Sequence, residues 1–101
     1  MSGLLEIRYL PTADEDLENI FDYIMRDNPA AAVSMLDKFD EAISRMARNP
    51  HLGVVPGDDR LRKLGYRMLV IEDYLVFYVV KARVVQIRRI LHGARDYRFL
   101  L

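Results

Sequence analysis

Three predicted strands follow one another in the stretch "LRKLGYRMLVIEDYLVFYVVKARVVQIRRIL", residues 61–91. β-Branched and aromatic residues become frequent along this stretch, so we predict strands over 61–71, 74–80 and 84–91, with an irregularity at Gly65. Two or three residues separate these runs, so we expect two hairpins, although no Asn-Gly or Asp-Gly pair marks the turns. The middle run is apolar on both faces and therefore predicts a central strand that is covered on both sides.

The residues before this stretch predict one more strand and two helices. "LLEIRYL", residues 4–10, alternates like a strand and ends at Pro11, which cannot donate to a ladder. Thr12 and Glu15 have the spacing of a capping box, so the first helix is predicted to begin at Thr12. Asn28 precedes a proline and is predicted to cap the second helix.

The predicted order of elements is β-α-α-β-β-β over one domain, residues 1–101. Because only a few residues join the helices, we expect an antiparallel helical hairpin. The sequence therefore predicts an α+β fold in which this hairpin packs on a twisted, mostly antiparallel sheet.

The charges of the chain are divided between its two halves. Residues 1–59 carry twelve acidic and five basic residues, a net charge of −7, whereas residues 60–101 carry ten basic and three acidic residues, a net charge of +7. The positive half suits an acidic partner, although separate solvated faces would give the same pattern.

The chain contains no cysteine, which excludes disulfides, thiol nucleophiles and thiolate zinc sites. Its longest apolar run, residues 74–80, is far shorter than a membrane helix, and the N-terminus lacks the pattern of a signal peptide. A cytoplasmic protein without membrane contact is the simplest interpretation.

Arginines lie on both predicted faces of the third strand of the stretch. Strict alternation places Val85, Ile87, Arg89 and Leu91 on one face and Arg88 on the other. Because the two helices cover only one face of the sheet, apolar residues of the opposite face need a cover. We expect either a partner protein or the C-terminal "DYRFLL" folded back.

The chain ends in a basic, aromatic segment, "RRILHGARDYRFLL", residues 88–101. Its His92, Arg95 and Tyr97 could in principle cleave RNA without a metal, since arginine stabilises phosphorane charge while histidine or tyrosine transfers protons. A lone histidine at a strand end is also common as a hydrogen-bonded turn residue. A docking surface is the third interpretation, because arginine and tyrosine are favoured at protein interfaces.

No metal site or cofactor is expected. The two histidines, His51 and His92, are 41 positions apart, and no dense carboxylate cluster accompanies either of them. The sequence also contains no glycine-rich phosphate loop.

The element order and several motifs together resemble the RelE/ParE family of type II toxin–antitoxin toxins, often called plasmid-stabilisation proteins. These motifs are "ADEDLENIFDYI" at 13–24, "RNP" at 48–50, "LRKLGYRMLVIEDYLVFYVV" at 61–80 and "VVQIRRILHGARDY" at 84–97. The resemblance implies a growth-inhibiting toxin that a co-expressed antitoxin holds inactive through helix and strand contacts.

The resemblance also bears on the cellular target. RelE-like members cleave mRNA on the ribosome and carry an arginine after the tyrosine of a "YR-apolar-apolar-Y" motif. The matching stretch here is "YLVFY", which places Leu75 where that arginine would stand. Because the loss of one transition-state donor typically costs a factor of about 10²–10³ in rate, we expect a ParE-like toxin that binds DNA gyrase. An mRNA interferase acting on ribosome and mRNA is the alternative, and a non-toxic binding module is a further one.

Three sets of site residues follow from the docking interpretation and the resemblance. Target binding is expected at Arg89, His92, Arg95, Tyr97 and Arg98. Antitoxin binding is expected at Leu17, Phe21, Phe39, Tyr78 and Arg88. If the protein were a nuclease, its candidates would be Arg67, His92, Arg95 and Tyr97.

Overall fold

The computed structural model describes residues 3–93, 97, 100 and 101. In chain order its elements are β1 (Glu6–Tyr9), α1 (Pro11–Asp27), α2 (Pro29–Arg48), α3 (Asp59–Lys63), β2 (Tyr66–Ile71), β3 (Tyr74–Lys81) and β4 (Val84–His92). The strands form one sheet in the order β1-β4-β3-β2, with β1 parallel to β4 and the other pairs antiparallel. This confirms the predicted α+β class and the interior position of the middle strand.

The two long helices form the predicted hairpin across a single residue, Asn28. Its side chain accepts a hydrogen bond from the backbone N–H of Ala31 at 3.1 Å. Pro29 occupies the first turn of α2, where its missing N–H costs nothing. No helix in the described part of the chain is long and apolar enough to cross a membrane.

The predicted capping box at Thr12 and Glu15 is wrong. The first helix begins one residue earlier, at Pro11, and the residue before it, Leu10, makes no side-chain capping bond. Proline fits the first helical position because its fixed φ matches the helix, so Thr12 already lies inside the first turn.

The hairpin covers one face of the sheet, and the main core lies between them. Phe39, Ile43 and Met46 of α2 pack there against β3 and β4, with Val76 and Ile87 among their neighbours. These apolar residues recur along α2 at helical spacing, which explains why a single stripe of the helix is buried.

The predicted strand over residues 61–71 begins only at Tyr66. The residues before it form α3, which Asp58 caps by accepting a hydrogen bond from the Leu61 N–H at 3.0 Å. Gly65 then adopts a φ of 84°, a left-handed conformation that glycine takes without strain. Residues 61–65 contain no β-branched residue, and the cap at Asp58 and the turn at Gly65 place a helix before the strand.

A β-bulge in β4 makes the predicted alternation of that strand wrong. Phe77 of β3 pairs with Arg89, but its neighbour Tyr78 pairs with Ile87, so Arg88 is the extra residue. A bulge shifts the alternation of all residues beyond it. As a result Ile90 joins the helix-side core, while Leu91 lies on the opposite face.

The opposite face of the sheet, here called the second face, is covered by α3 and the C-terminal tail. Leu61 of α3 is fully buried there beside Phe77 and Leu91, and Tyr97, Leu100 and Leu101 pack partly buried against the same cluster. The sequence predicted that either a partner protein or the folded-back tail would cover this face. In the structure, Tyr97, Leu100 and Leu101 of the tail contribute to that cover.

Candidate functional site

Arg89, predicted to bind a target, is joined to Asp16 of α1. Its Nε and Nη2 donate to the two carboxylate oxygens of Asp16 at 2.7 and 3.0 Å, and its Nη1 donates to the Leu100 carbonyl at 3.3 Å. The side chains of Arg89 and Asp16 are only 21% and 13% exposed. The hydrogen bonds that Arg89 donates to Asp16 raise the pKa of Arg89, against the opposing effect of burial. Arg89 therefore connects the sheet, the first helix and the tail, and offers little surface to another protein.

Asp16 also accepts a backbone hydrogen bond from β4, beyond the point where β1 stops pairing with that strand. Strand β1 pairs with β4 only as far as Ile87, and the backbone N–H of Ile90 beyond it donates to the Asp16 carboxylate at 3.0 Å. A backbone N–H left unpaired at such a half-buried edge would be costly. One carboxylate thus completes both the sheet edge and the ion pair.

His92 ends β4 on the helix side of the sheet. Its exposed ring meets the ring of Tyr74 edge-on, with 5.5 Å between the centroids. Phe39 lies 6.1 Å from Tyr74, so Tyr74 is held between two rings. Burial raises the pKa of Tyr74, and the nearby Asp73 and Tyr23 raise it further.

Arg67 and Tyr78 hold the loop that follows α2. The Tyr78 hydroxyl accepts a hydrogen bond from the Gly53 N–H and donates one to the Pro50 carbonyl, both at 2.8 Å. Arg67 donates to the Gly53 carbonyl, also at 2.8 Å. Burial raises the pKa of Tyr78, partly offset by the Gly53 N–H and by Arg67. Both side chains therefore serve the structure of this loop.

Tyr97 lies on the second face, where its ring packs 4.9 Å from that of Phe77. His92 lies beside Tyr74 on the helix side, and Arg67 is bound to the loop at Gly53. The described members of the nuclease set are therefore not brought together at one point. The remaining candidates, Arg95 and Arg98, lie outside the described residues.

The residues expected to contact an antitoxin do not form one surface. Leu17 and Phe21 are half-buried on α1, whereas Arg88 lies over the ring of Tyr66, which belongs to the second face. Phe39 and Tyr78 are 1% and 0% exposed and belong to the core. Among the described residues, no group of three or more metal-ligating side chains is present.

Sequence reasoning did not identify Asp16, Gly53 or Tyr74 as important positions. Asp16 lies in a run of acidic residues at the start of α1, where a favourable helix dipole already explains it. Its partner Arg89 is 73 positions away. A pattern within a short window of sequence does not predict a contact between residues so far apart in the chain.

A family model described as the ParE toxin of the type II toxin–antitoxin system, parDE, matches residues 7–97. The chain belongs to this family. The resemblance inferred from the sequence is thereby confirmed, including its preference for the ParE branch.

Solved structures share the fold of this ParE-family chain at low sequence identity. A chromosomal ParDE toxin–antitoxin system from P. aeruginosa has a TM-score of 0.73 and 22% identity, covering 90% of this chain and 98% of the other. The toxin–antitoxin complex RelBE2 from Mycobacterium tuberculosis has a TM-score of 0.60 and 20% identity, covering 88% and 98%. A YoeB–YefM complex from Staphylococcus aureus has a TM-score of 0.59 and 22% identity, covering 87% and 95%. By sequence alone, no curated protein gives a significant match.

Proposed function

We propose that this ParE-family chain is a toxin that stops growth in the cytoplasm by binding DNA gyrase, and that a cognate antitoxin neutralises it. The family model supports a toxin of the ParE type. The similar structures from P. aeruginosa, M. tuberculosis and S. aureus are toxin–antitoxin systems or complexes, which supports an antitoxin as partner.

The observation that carries the choice of target is the separation of the described nuclease candidates, Arg67, His92 and Tyr97. General acid–base catalysis needs its groups within hydrogen-bond reach of one substrate. Here Arg67 is bound to Gly53, His92 packs on Tyr74, and Tyr97 packs on Phe77 across the sheet.

Leu75 gives a second argument against RNA cleavage. It occupies the position where the RelE-like motif has an arginine, and its side chain packs in the apolar cluster of the second face. The site thus has a hydrophobic contact where a donor to a phosphate would be needed.

The test is induction of the chain without antitoxin, followed by pulse labelling of DNA and protein synthesis in the first minutes of growth arrest. We expect DNA synthesis to fall first, and purified protein to inhibit supercoiling by gyrase. An early fall in protein synthesis with ribosome-dependent mRNA cuts would replace the proposal with the interferase alternative. No growth arrest at all would favour the non-toxic module.

A matched control separates toxicity from the burden of overexpression. Gly53→Val places a branched side chain against Tyr78 and the Met68 carbonyl, where even a Cβ has no room. We expect this variant to lose its fold and to leave growth unaffected at the same expression level.

A further inference from the structure

A groove of about 410 Å³ opens between α1 and the end of the sheet where β3 begins and β4 ends. Its walls, among the described residues, are Asn19, Ile20, Tyr23, Tyr74 and His92. Three of the five side chains are aromatic rings, and Asn19 adds an amide that can accept a hydrogen bond. Such walls suit a side chain with both apolar and polar parts.

The two tyrosines of the groove differ in exposure and in packing. Tyr74 is half-buried and held between the rings of His92 and Phe39. Tyr23, in contrast, leaves 67% of its surface exposed on α1. The groove therefore has one fixed aromatic wall and one exposed aromatic wall that a partner could cover.

Among the described residues, the charge around the groove is negative. Helix α1 carries six acidic residues and one base, Arg26, a net charge of −5. Asp16 is paired with Arg89, and among the described residues no salt bridge involves the other five acids of the helix. Asp22 lies next to Tyr23 in the chain, and Asp73 lies next to Tyr74. Lys38 lies near the β2–β3 turn and is paired with Glu72 of that turn at 2.8 Å.

We propose that this groove binds an arginine or lysine side chain presented by a partner protein. Aromatic faces attract a cation, and the carboxylates of α1 and of the β2–β3 turn attract the same charge over a longer range. An apolar side chain would gain from the rings alone, and an acidic one would be repelled. The inference concerns a contact surface and does not depend on whether gyrase is the target.

The experiment is an NMR titration of the full chain with N-acetyl-L-argininamide. The neutral near-isostere N-acetyl-L-citrullinamide serves as the comparison. We expect the arginine probe to shift the ring signals of Tyr23, Tyr74 and His92, and to bind about two- to fivefold more tightly than the citrulline probe. Added salt should reduce this difference.

Two variants locate the binding. Tyr23→Leu removes the exposed ring and should abolish the preference for arginine, and because Tyr23 is exposed it should leave the melting temperature unchanged. Met25→Ala, also an exposed position on α1 but outside the groove, is the matched control and should keep the preference. Equal binding of the two probes, or shifts confined to other parts of the chain, would overturn the proposal, as would an absence of shifts at the solubility limit of the probe.

Discussion

Replacing Gly53 with alanine tests the packing of the loop against the sheet. A Cβ on Gly53 would lie 2.7 Å from the Tyr78 hydroxyl, 2.8 Å from its Cε1 and 2.9 Å from the Met68 carbonyl oxygen. None of these atoms is the free end of a flexible side chain, because Tyr78 is fully buried and the carbonyl belongs to β2. The loop must therefore move away from the sheet to accept a methyl group.

The cost can be estimated from the contacts that such a movement would break. Overpacking a dense site costs about 1–3 kcal/mol. The hydrogen bonds of Gly53 to Tyr78 and Arg67 contribute about 1 kcal/mol each. We therefore expect Gly53→Ala to lower the free energy of unfolding by roughly 3–5 kcal/mol. That is a large share of the 5–15 kcal/mol typical of a small domain, and urea denaturation would measure it.

Gly57 supplies the control for this measurement. Its added Cβ meets nothing within 4 Å, and neither Gly53 nor Gly57 has a positive φ. Gly57→Ala should therefore be neutral, or stabilising by about 0.4–1 kcal/mol through the unfolded chain. If Gly53→Ala and Gly57→Ala had the same stability, the close contact with Tyr78 would not be the reason that position 53 requires glycine.

Three further predictions concern charge, pH and backbone conformation. Asp16→Asn removes the charge that Arg89 faces and should lower the free energy of unfolding by about 1–2 kcal/mol. The neighbouring control, Glu15→Gln, should change it by less than about 0.5 kcal/mol. Equal effects of the two variants in urea denaturation would contradict the role of the ion pair. Burial, together with Asp40 and Asp14, raises the pKa of Tyr9 to about 12. The stability that this phenol contributes is therefore present below pH 10 and is lost as the pH rises toward 12. Tyr9→Phe should make the urea midpoint less dependent on pH over this range. Ala82 has a φ of 48° in the β3–β4 turn, a left-handed conformation that strains a residue with a Cβ. Ala82→Gly should therefore raise the thermal midpoint by the equivalent of about 0.5–1 kcal/mol. A lower midpoint would show that this conformation carries no strain.

Local patterns were sufficient for most elements of the fold. The apolar stripes of α1 and α2 and the β-branched runs of β2 to β4 are repeated every few residues, so a short window of sequence contains the signal. Asn28 and the proline after it fix the hairpin within one turn of chain. The errors in element bounds occurred at Thr12, where a proline starts the helix one residue earlier, and at residues 61–65, where a cap and a glycine form a helical turn.

The candidate site was less accessible to this reasoning. The sequence singled out Arg89 and His92 because they lie in a basic, aromatic segment, but burial and pairing give them different roles. Arg89 connects Asp16 to the tail, whereas His92 remains at the surface beside Tyr74. Charge and residue type alone could not distinguish these two environments.

The sequence by itself determined the order of the strands and the two long helices, the α+β class, the interior position of β3 and the family, but not the short helix α3. Only the tertiary structure decided which residues meet. The bulge at Arg88 reverses the faces of the residues that follow it, and it is visible only in the pairing with β3. The contact of Asp16 with Arg89 and the close approach of Gly53 to Tyr78 join residues 73 and 25 positions apart. Such contacts depend on register and close packing, which local periodicity does not specify.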